Sequence, residues 1–337
     1  MGLDNGGTCN NATVLDATGR YLVDNLVENP SLVHEGPEAA VEQLAEAFTN
    51  ILSLTSTPAT LVRAVGLDTP GPATADGVIS SKGSTNFSER AWWGFDIRGA
   101  LEARIGLPVI YNNDANAAAL YAHHRHFGAE AMQRGSVAAI VGTGLGGGVV
   151  EAGRVVGGAA GMAGELGHVQ IPLHDVLEPD QPVPVCNCGF AGDVESIASL
   201  TGIKNNLLPY WLAKFPDHPL AAEPIGTAAK MLRGYGEKED PMALAVFGQQ
   251  AKAIGKLFTI AANFTDPHAY FLGGGVVEAL SHFRQWFLTT VREHTQLRRE
   301  QAAVAEFALV ADLDMAGARG AAVAALEAVK VTRAITP

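Results

Sequence analysis

Two glycine-rich segments have the composition of loops that bind phosphate groups. In the first, Asp4-Asn5-Gly6-Gly7-Thr8, turn amides at Gly7 and Thr8 could cradle a phosphate while Asp4 holds Mg²⁺ through water. The second runs from Gly142 to Gly148. It is neither a Walker A loop nor a dinucleotide fingerprint, because no Lys-Ser/Thr and no helix follow it. The alternatives are an ordinary hairpin turn for the first segment and glycine packing at a strand crossing for the second.

A carboxylate at the end of a predicted strand has the position expected of a general base. The pattern predicts a strand over Pro108–Tyr111, a helix over Ala115–Ala122, and the segment Asn112-Asn113-Asp114 at their junction. A base must lie near the hydroxyl whose proton it accepts, and the end of a strand in a cleft offers such a place. The alternative is structural, because Asn113 or Asp114 could simply cap the helix.

A third group of residues has the ligand types of a zinc site. Two segments, Gly164–His168 and Cys186–Glu195, together supply the nitrogen, sulfur and oxygen atoms that zinc accepts in tetrahedral sites. The candidate ligands are His168, Cys186, Cys188 and Asp193. The alternative is two buried free thiols beside a hydrogen-bonded histidine.

The predicted elements alternate between strands and helices, which is typical of an α/β protein. Apolar spacing predicts helices at Glu38–Leu54, Ile97–Ile105, around Phe247–Ala261 and at Gly320–Val331. Further strands are predicted at Asn11–Asp16, Arg20–Val27, Val62–Leu67, Ser136–Val141 and Tyr270–Leu272.

Composition excludes several classes of function. The chain has 337 residues, 47% of them hydrophobic, which suits two domains, and its formal charge of −12 disfavours nonspecific binding to nucleic acid or anionic lipid. The three cysteines are too few for a disulfide framework and favour a reducing compartment. The first residues lack the pattern of a signal peptide, and glycines interrupt the longest apolar stretch. We therefore expect a soluble cytoplasmic protein, although the native chain could start upstream of Met1.

Taken together and in this order, these segments resemble the ROK family of sugar kinases and sugar-responsive repressors, over nearly the whole chain. The resemblance implies an actin- and hexokinase-like (ribonuclease H-like) fold, with a small domain at 1–112 plus 317–337 and a large domain at 113–316. Two such α/β domains would close on ATP and sugar. It also implies ATP-dependent phosphorylation of a hexose or hexose-like sugar at the 6-hydroxyl, with Mg²⁺ as cofactor and a homodimer as assembly.

The resemblance assigns site residues position by position. Asp114 matches the catalytic base of the family. The nucleotide side is matched by Asp4, Gly6, Gly7, Thr8, Thr143, Gly144, Gly273, Gly274 and Gly275. The sugar side is matched by Gly71, Asn86, Asn113, Asp114, Glu165, His168 and Glu195.

Three positions depart from the family pattern. Asn5 replaces an apolar residue, Cys9 replaces a lysine, and Asp193 stands where the family has a third cysteine of its zinc site. We predict that His168, Cys186, Cys188 and Asp193 retain zinc, the alternative being a site that has lost its metal.

The function also has an alternative, a sugar-binding regulatory or sensor protein without turnover. Family repressors carry a winged helix ahead of the kinase-like domains. Because this chain starts at the first phosphate turn, we expect no nucleic-acid partner. The sugar is open: glucose is the default, and mannose, fructose, N-acetylmannosamine, allose or a cyclitol are alternatives. Polyphosphate is an alternative donor.

Overall fold

A computed structural model describes residues 1–25, 27–80 and 86–335. Contacts within the chain divide it into two compact units. The first consists of Met1–Arg134, Gly148–Gly164 and Ala311–Pro337, and the second of Gly135–Gly147 and Glu165–Val310. Each unit is described separately below.

Ten strands in the described residues form two five-stranded sheets, with orders β3-β2-β1-β4-β5 and β10-β9-β6-β7-β8. In the first sheet β1, β4 and β5 are parallel and β2 is antiparallel to both of its neighbours. In the second, β6, β9 and β10 are parallel. The strands are β1 (Gly2–Asn5), β2 (Cys9–Thr13), β3 (Glu28–Pro30), β4 (Val65–Thr69), β5 (Val109–Asn113), β6 (Gly135–Val141), β7 (Leu145–Glu151), β8 (Arg154–Val155), β9 (Ala269–Gly274) and β10 (Glu306–Leu309).

Eleven α-helices in the described residues accompany the sheets. They are α1 (Pro37–Leu54), α2 (Ile97–Ile105), α3 (Asp114–Phe127), α4 (Glu195–Ala198), α5 (Leu200–Gly202), α6 (Leu208–Lys214), α7 (Ile225–Gly236), α8 (Pro241–Thr265), α9 (Ser281–Glu293), α10 (Arg299–Ala302) and α11 (Leu313–Ile335). In the part of the chain that the structure describes, none of these helices combines the length and apolarity that crossing a lipid bilayer requires.

The first unit places α11 directly against its sheet and against α3. This close approach depends on glycine. A Cβ on Gly66 of β4 would overlap the carbonyl oxygen of Ala321, and a Cβ on Gly320 would overlap that of Ala117 in α3. Because α3 is held in this way, Asp114 at its first position is fixed relative to the parallel strands.

The second unit packs the long helix α8 against β6 and α9. Its buried face includes Ile254 and Phe258, and the Phe258 ring lies 5.2 Å from that of Tyr270 in β9. The parallel register pairs Val141 at the end of β6 with Gly274 at the end of β9. Two of the glycine-rich segments therefore leave the sheet at the same edge.

The α/β fold class is confirmed. Two predicted helices are confirmed as well: α3, which begins at Asp114, and α8, which packs against β6. The predicted strand Asn11–Asp16 overlaps β2 over residues 11–13, because pairing with β1 selects Cys9–Thr13. The predicted strand Arg20–Val27 is represented by one antiparallel bridge, between Leu15 and Tyr21, and the strand that pairs with β2 is β3. Leu26 lies outside the described residues. The division into units groups α3 with the first unit, whereas the sequence analysis placed 113–316 together. As domain boundaries, the predicted ranges stay a prediction.

Candidate active site

Asp114 opens α3 directly after the carboxyl end of β5, and its side chain is exposed. The preceding Asn113 caps the helix, because its Oδ1 accepts hydrogen bonds from the backbone N–H groups of Ala115 (2.8 Å) and Asn116 (3.3 Å). Asp114 Oδ1 also accepts from Ala115 N, at 2.7 Å. The structure thus gives the capping role to Asn113, and Asp114 follows it as the first residue of the helix.

The carboxylate of Asp68 lies at the same edge of this sheet and was not predicted. Asp4 of β1 stands in register with Asp68 of β4, and Asp68 stands in register with Asn112 of β5. Asp4 Oδ2 accepts a hydrogen bond from Asn11 Nδ2 at 3.0 Å. The strand predicted from the sequence ended at Leu67, one residue before Asp68. The missed signal is a lone acidic residue inside an apolar strand that pairs with β1.

Burial changes the acidity of both groups. It raises the pKa of Asp4, an effect opposed by the hydrogen bonds that its carboxylate receives. Burial also raises the pKa of Asp68 well above its usual range, and the negative charges of Asp4 and Asp114 raise it further. The three carboxyl groups of the first unit therefore interact electrostatically at one edge of the sheet.

The first glycine turn is the tight β1–β2 connection, in which Gly6 N donates to Cys9 O at 3.0 Å. A Cβ on Gly7 would lie 2.5 Å from Oδ1 of Asn86, so the missing side chain makes room for that amide. Thr8 is exposed beside them. The structure therefore brings Gly7, which was predicted to bind the nucleotide, next to Asn86, which was predicted to bind the sugar.

Gly71 lies close to Asn113, the residue that precedes Asp114. A Cβ at this position would be 2.7 Å from Nδ2 of Asn113. Thr69 Oγ1 and the Tyr111 hydroxyl, 2.7 Å apart, join the neighbouring strands at the same level. These contacts put Gly71, Asn113 and Asp114 in one neighbourhood of the first unit.

The second glycine loop is held by the segment that follows Glu195. Leu145 N donates to Glu195 Oε2 at 2.8 Å, and a Cβ on Gly144 would lie 2.7 Å from the same oxygen. The loop carbonyls of Gly142 and Thr143 accept from Leu200 N (3.0 Å) and Thr201 N (3.1 Å). The loop is thus fixed in shape, with the side chain of Thr143 exposed.

The third glycine segment ends β9 beside this loop. Gly274 has φ +99°, and a Cβ there would overlap the carbonyl oxygen of Val141, so this position requires glycine. Gly275 N donates to the same Val141 oxygen at 3.1 Å, and its carbonyl accepts from Arg233 Nη1 at 2.7 Å. Within the second unit, the structure brings 142–145 and 273–275 together.

Three residues predicted to bind the sugar lie close together in the second unit: Glu165, His168 and Glu195. His168 N donates to Glu165 O at 3.2 Å. Burial raises the pKa of Glu165; the neighbouring His168 lowers it and Glu195 raises it. Glu195 Oε1 also accepts from Cys186 Sγ at 3.3 Å, so this glutamate contacts both the glycine loop and the candidate metal ligands.

The four candidate zinc ligands converge. One ligand atom from each of His168, Cys186, Cys188 and Asp193 lies within 4.8 Å of all the others. Asp193 Oδ2 is 3.3 Å from His168 Nδ1 and 3.7 Å from Cys188 Sγ. Zinc bonds of about 2.0 to 2.3 Å in a tetrahedron place ligand atoms about 3.3 to 3.8 Å apart, and the two separations measured from Asp193 agree with that range.

The acidity of one thiol bears on that fit. Burial raises the pKa of the Cys186 thiol, so a metal would have to displace its proton on binding. Binding of a metal ion by Cys186 is therefore expected to release the proton of its thiol. The four residues thus bring nitrogen, sulfur and oxygen atoms together within the second unit.

Comparison with known proteins gives a consistent result. The family model described as "ROK family" matches residues 1–328. A glucokinase from Thermotoga maritima is 30% identical over 281 residues, covering 83% of this chain and 82% of the relative.

Among solved structures, a ROK hexokinase from Thermus thermophilus is similar with a TM-score of 0.76, 32% identity and 98% of both chains covered. A ROK family glucokinase from Streptomyces griseus, in complex with glucose and AMPPNP, has a TM-score of 0.68 and 26% identity, covering 97% of this chain and 98% of its own. The fold is therefore that of the actin-like sugar kinases, and the chain belongs to the ROK family.

Proposed function

We propose that this protein is a sugar kinase that transfers the γ-phosphoryl group of ATP to the 6-hydroxyl of a hexose or hexose-like sugar, with Asp114 as general base. The observation that carries the proposal is the family match over residues 1–328, together with an exposed carboxylate at the first position of α3. The relatives include proteins named glucokinase and ROK hexokinase. Glucose is therefore the first substrate to test.

The proposed chemistry follows from the position of Asp114. Its carboxylate accepts the proton of the sugar hydroxyl while the hydroxyl oxygen forms a bond to the γ-phosphorus. The bond between that phosphorus and the bridging oxygen breaks, and its electron pair leaves with ADP. Asn113 directly precedes the base and lies beside Gly71, whereas Asn86 lies beside Gly7. These three residues are proposed to orient the sugar.

The nucleotide is proposed to bind through backbone N–H groups of the glycine segments, since the chain has a net charge of −12. Gly7 and Thr8 in the first unit, and Thr143 and Gly144 in the second, are proposed to supply these groups, because the N–H of Gly275 already donates to the Val141 carbonyl. Mg²⁺, when bound with ATP, would offset negative charge on the phosphates. Asp4 is proposed to hold it through water.

Zinc is proposed as a structural ion on His168, Cys186, Cys188 and Asp193. The support is the mutual separation of the four donor atoms. The metal would fix the ring of His168. Through the contact of Cys186 with Glu195, it would also help to hold Glu195, a second residue that is proposed to bind the sugar. The cytoplasmic location and the homodimer stay predictions.

The first experiment is an ATP-coupled assay over a panel of hexoses, N-acetylhexosamines and a cyclitol, with the product position determined by NMR. Polyphosphate is run as a second donor. We expect one sugar to be phosphorylated at O6. A product phosphorylated elsewhere would contradict the O6 assignment, and sugar binding without turnover on the whole panel would favour the regulatory alternative.

The base is tested by Asp114→Ala. We expect kcat to fall by about 10² to 10⁴, the range that general-base catalysis supplies, with sugar affinity within a few-fold of the parent. The matched control is Asp76→Ala, which removes an exposed carboxylate of the same unit. Activity above a tenth of the parent value in Asp114→Ala would reject the assignment.

A further inference from the structure

An arginine near the end of α7 lies beside the third glycine segment. Arg233 Nη1 donates to Gly275 O at 2.7 Å and to Glu278 Oε2 at 2.9 Å. A Cβ on Gly275 would lie 3.7 Å from the same nitrogen, which is an ordinary contact distance. Both hydrogen bonds use Nη1, and the Nε and Nη2 groups of Arg233 make none with the described residues. Two nitrogens of the guanidinium therefore keep donors for another acceptor.

The end of α7 is anchored, so Arg233 has a defined position. Glu237 follows α7 directly, and its Oε1 accepts a hydrogen bond from Leu280 N at 3.0 Å. A Cβ on Gly236 would lie 2.7 Å from the ring of Phe283, so the missing side chain lets α7 approach α9. The helix end and the segment that follows β9 are thus held together within the second unit.

The glycine segments bring no positive side chain of their own to the phosphates of ATP. None of the residues 4–8, 142–148 and 273–275 is lysine or arginine, and Cys9 stands where the family pattern has a lysine. The N–H of Gly275 already donates to the Val141 carbonyl, so this donor is used within the protein. Arginine recognises phosphate through charge-assisted hydrogen bonds from two nitrogens of its planar group. Arg233 therefore offers both charge and donors at this segment.

We propose that Arg233 binds a phosphate group of the nucleotide through Nε and Nη2. Its side chain is 41% exposed, so a ligand can reach it. The side chain of Glu278 is 60% exposed, and because exposed ion pairs are weak, a phosphate can compete with this carboxylate. The proposal rests on the proposed kinase function, which supplies the nucleotide, and adds a binding residue that neither the motifs nor the family resemblance assigns.

The competing explanation is that Arg233 only holds the segment in shape through its hydrogen bond to Gly275 O. Loss of that hydrogen bond would weaken binding of every compound that contacts the segment, including adenosine. Loss of a phosphate contact would weaken binding only of compounds that carry the phosphate. Adenosine, AMP, ADP and ATP therefore distinguish the two explanations.

The test measures binding of these four compounds to the full-length protein with Mg²⁺, by calorimetry and, for millimolar affinities, by ligand-observed NMR. We expect Arg233→Gln to weaken ATP binding by about tenfold or more, as loss of a charge-assisted hydrogen bond does, and to leave adenosine within about twofold of the parent. The first compound in the series whose binding falls identifies the phosphate. Arg292→Gln removes an exposed arginine of the same unit and should bind all four compounds as the parent does.

Glu278→Gln is the second variant, because it removes the anionic neighbour and keeps Arg233. ATP should bind to it at least as tightly as to the parent. The proposal would be overturned by equal ATP affinity in the parent and Arg233→Gln, by an equal loss for adenosine, or by a loss in Glu278→Gln as large as that in Arg233→Gln. Sugar phosphorylation is measured separately. A parent protein that does not bind ATP would refute the kinase proposal as well, whereas the other three results leave it intact.

Discussion

Replacing Glu195 by alanine removes a carboxylate that the structure connects to the second glycine loop. Oε2 accepts the buried N–H of Leu145 at 2.8 Å, and a hydrogen bond to a charged acceptor contributes about 1.5 to 3 kcal/mol. The loop keeps two other backbone hydrogen bonds, from Leu200 and Thr201. We therefore expect the lower end of that range, which is about a tenfold weaker Kd for ATP at 1.4 kcal/mol per factor of ten.

The series Glu195→Ala, Glu195→Gln and Glu223→Ala separates the effects. The glutamine variant keeps an oxygen that can accept from Leu145 N, so its ATP affinity should fall by only about two- to threefold. Glu223 is an exposed glutamate of the same unit and serves as the control. ATP affinity is measured by calorimetry, together with the KM for sugar and the zinc content of each variant.

The sugar measurement decides between two roles of this residue. The family resemblance implies that Glu195 binds the sugar. If that were its only role, replacing it by alanine would raise the KM for sugar and leave the affinity for ATP unchanged. The contact with Leu145 predicts a change in both quantities. An unaltered Kd for ATP in Glu195→Ala would refute the reasoning that this carboxylate positions the loop.

Three further predictions follow from packing, acidity and the metal ligands. Gly320→Ala, whose Cβ would overlap the Ala117 carbonyl, should lower the free energy of unfolding in urea by about 3 kcal/mol or more, whereas Gly248→Ala, with no atom within 4 Å, should change it by less than about 1 kcal/mol. Burial raises the pKa of Asp68, so from about pH 4 upward the unfolded chain releases a proton that the folded chain retains, and metal-free protein should lose stability as pH rises. Urea unfolding at pH 5 and pH 8 should show a smaller loss for Asp68→Asn, and an equal loss would contradict the raised pKa. Asp193→Asn retains the oxygen that accepts from Ser196 N (3.0 Å) but should lose zinc to a chelator faster than the parent, as Asp193→Ala should; zinc retention equal to that of the parent in both variants would exclude Asp193 as a ligand.

Elements with strong local signals were predictable from the sequence. The spacing of Val41, Leu44 and Phe48 predicted a helix over Glu38–Leu54, and the structure has α1 at Pro37–Leu54 with these side chains buried. The predicted helix Ile97–Ile105 coincides with α2, whose start is capped by Asp96. In both cases one amphipathic face determines the element, so a short window of sequence suffices.

Elements whose existence depends on a distant partner were not predictable in this way. The strand β2 contains two asparagines, and the Asn10 side chain accepts a hydrogen bond from Asn5 Nδ2 at 2.6 Å. Its polar sequence carries no apolar alternation, so the pattern favoured the more apolar stretch that follows. Asp68 illustrates the same limit at the site, because its burial and its neighbour Asp4 arise only when β4 pairs with β1.

The glycines show how local chemistry and distant contacts combine. Their clustering predicted turns where backbone approaches a ligand, and that prediction concerned phosphate alone. The structure adds that Gly7 makes room for the amide of Asn86 and Gly144 for the carboxylate of Glu195. A side chain at either position would displace a polar group before it met any nucleotide. The glycine requirement at these turns therefore already follows from the protein itself, and glycine content alone is weaker support for phosphate binding than the N–H groups that these turns present.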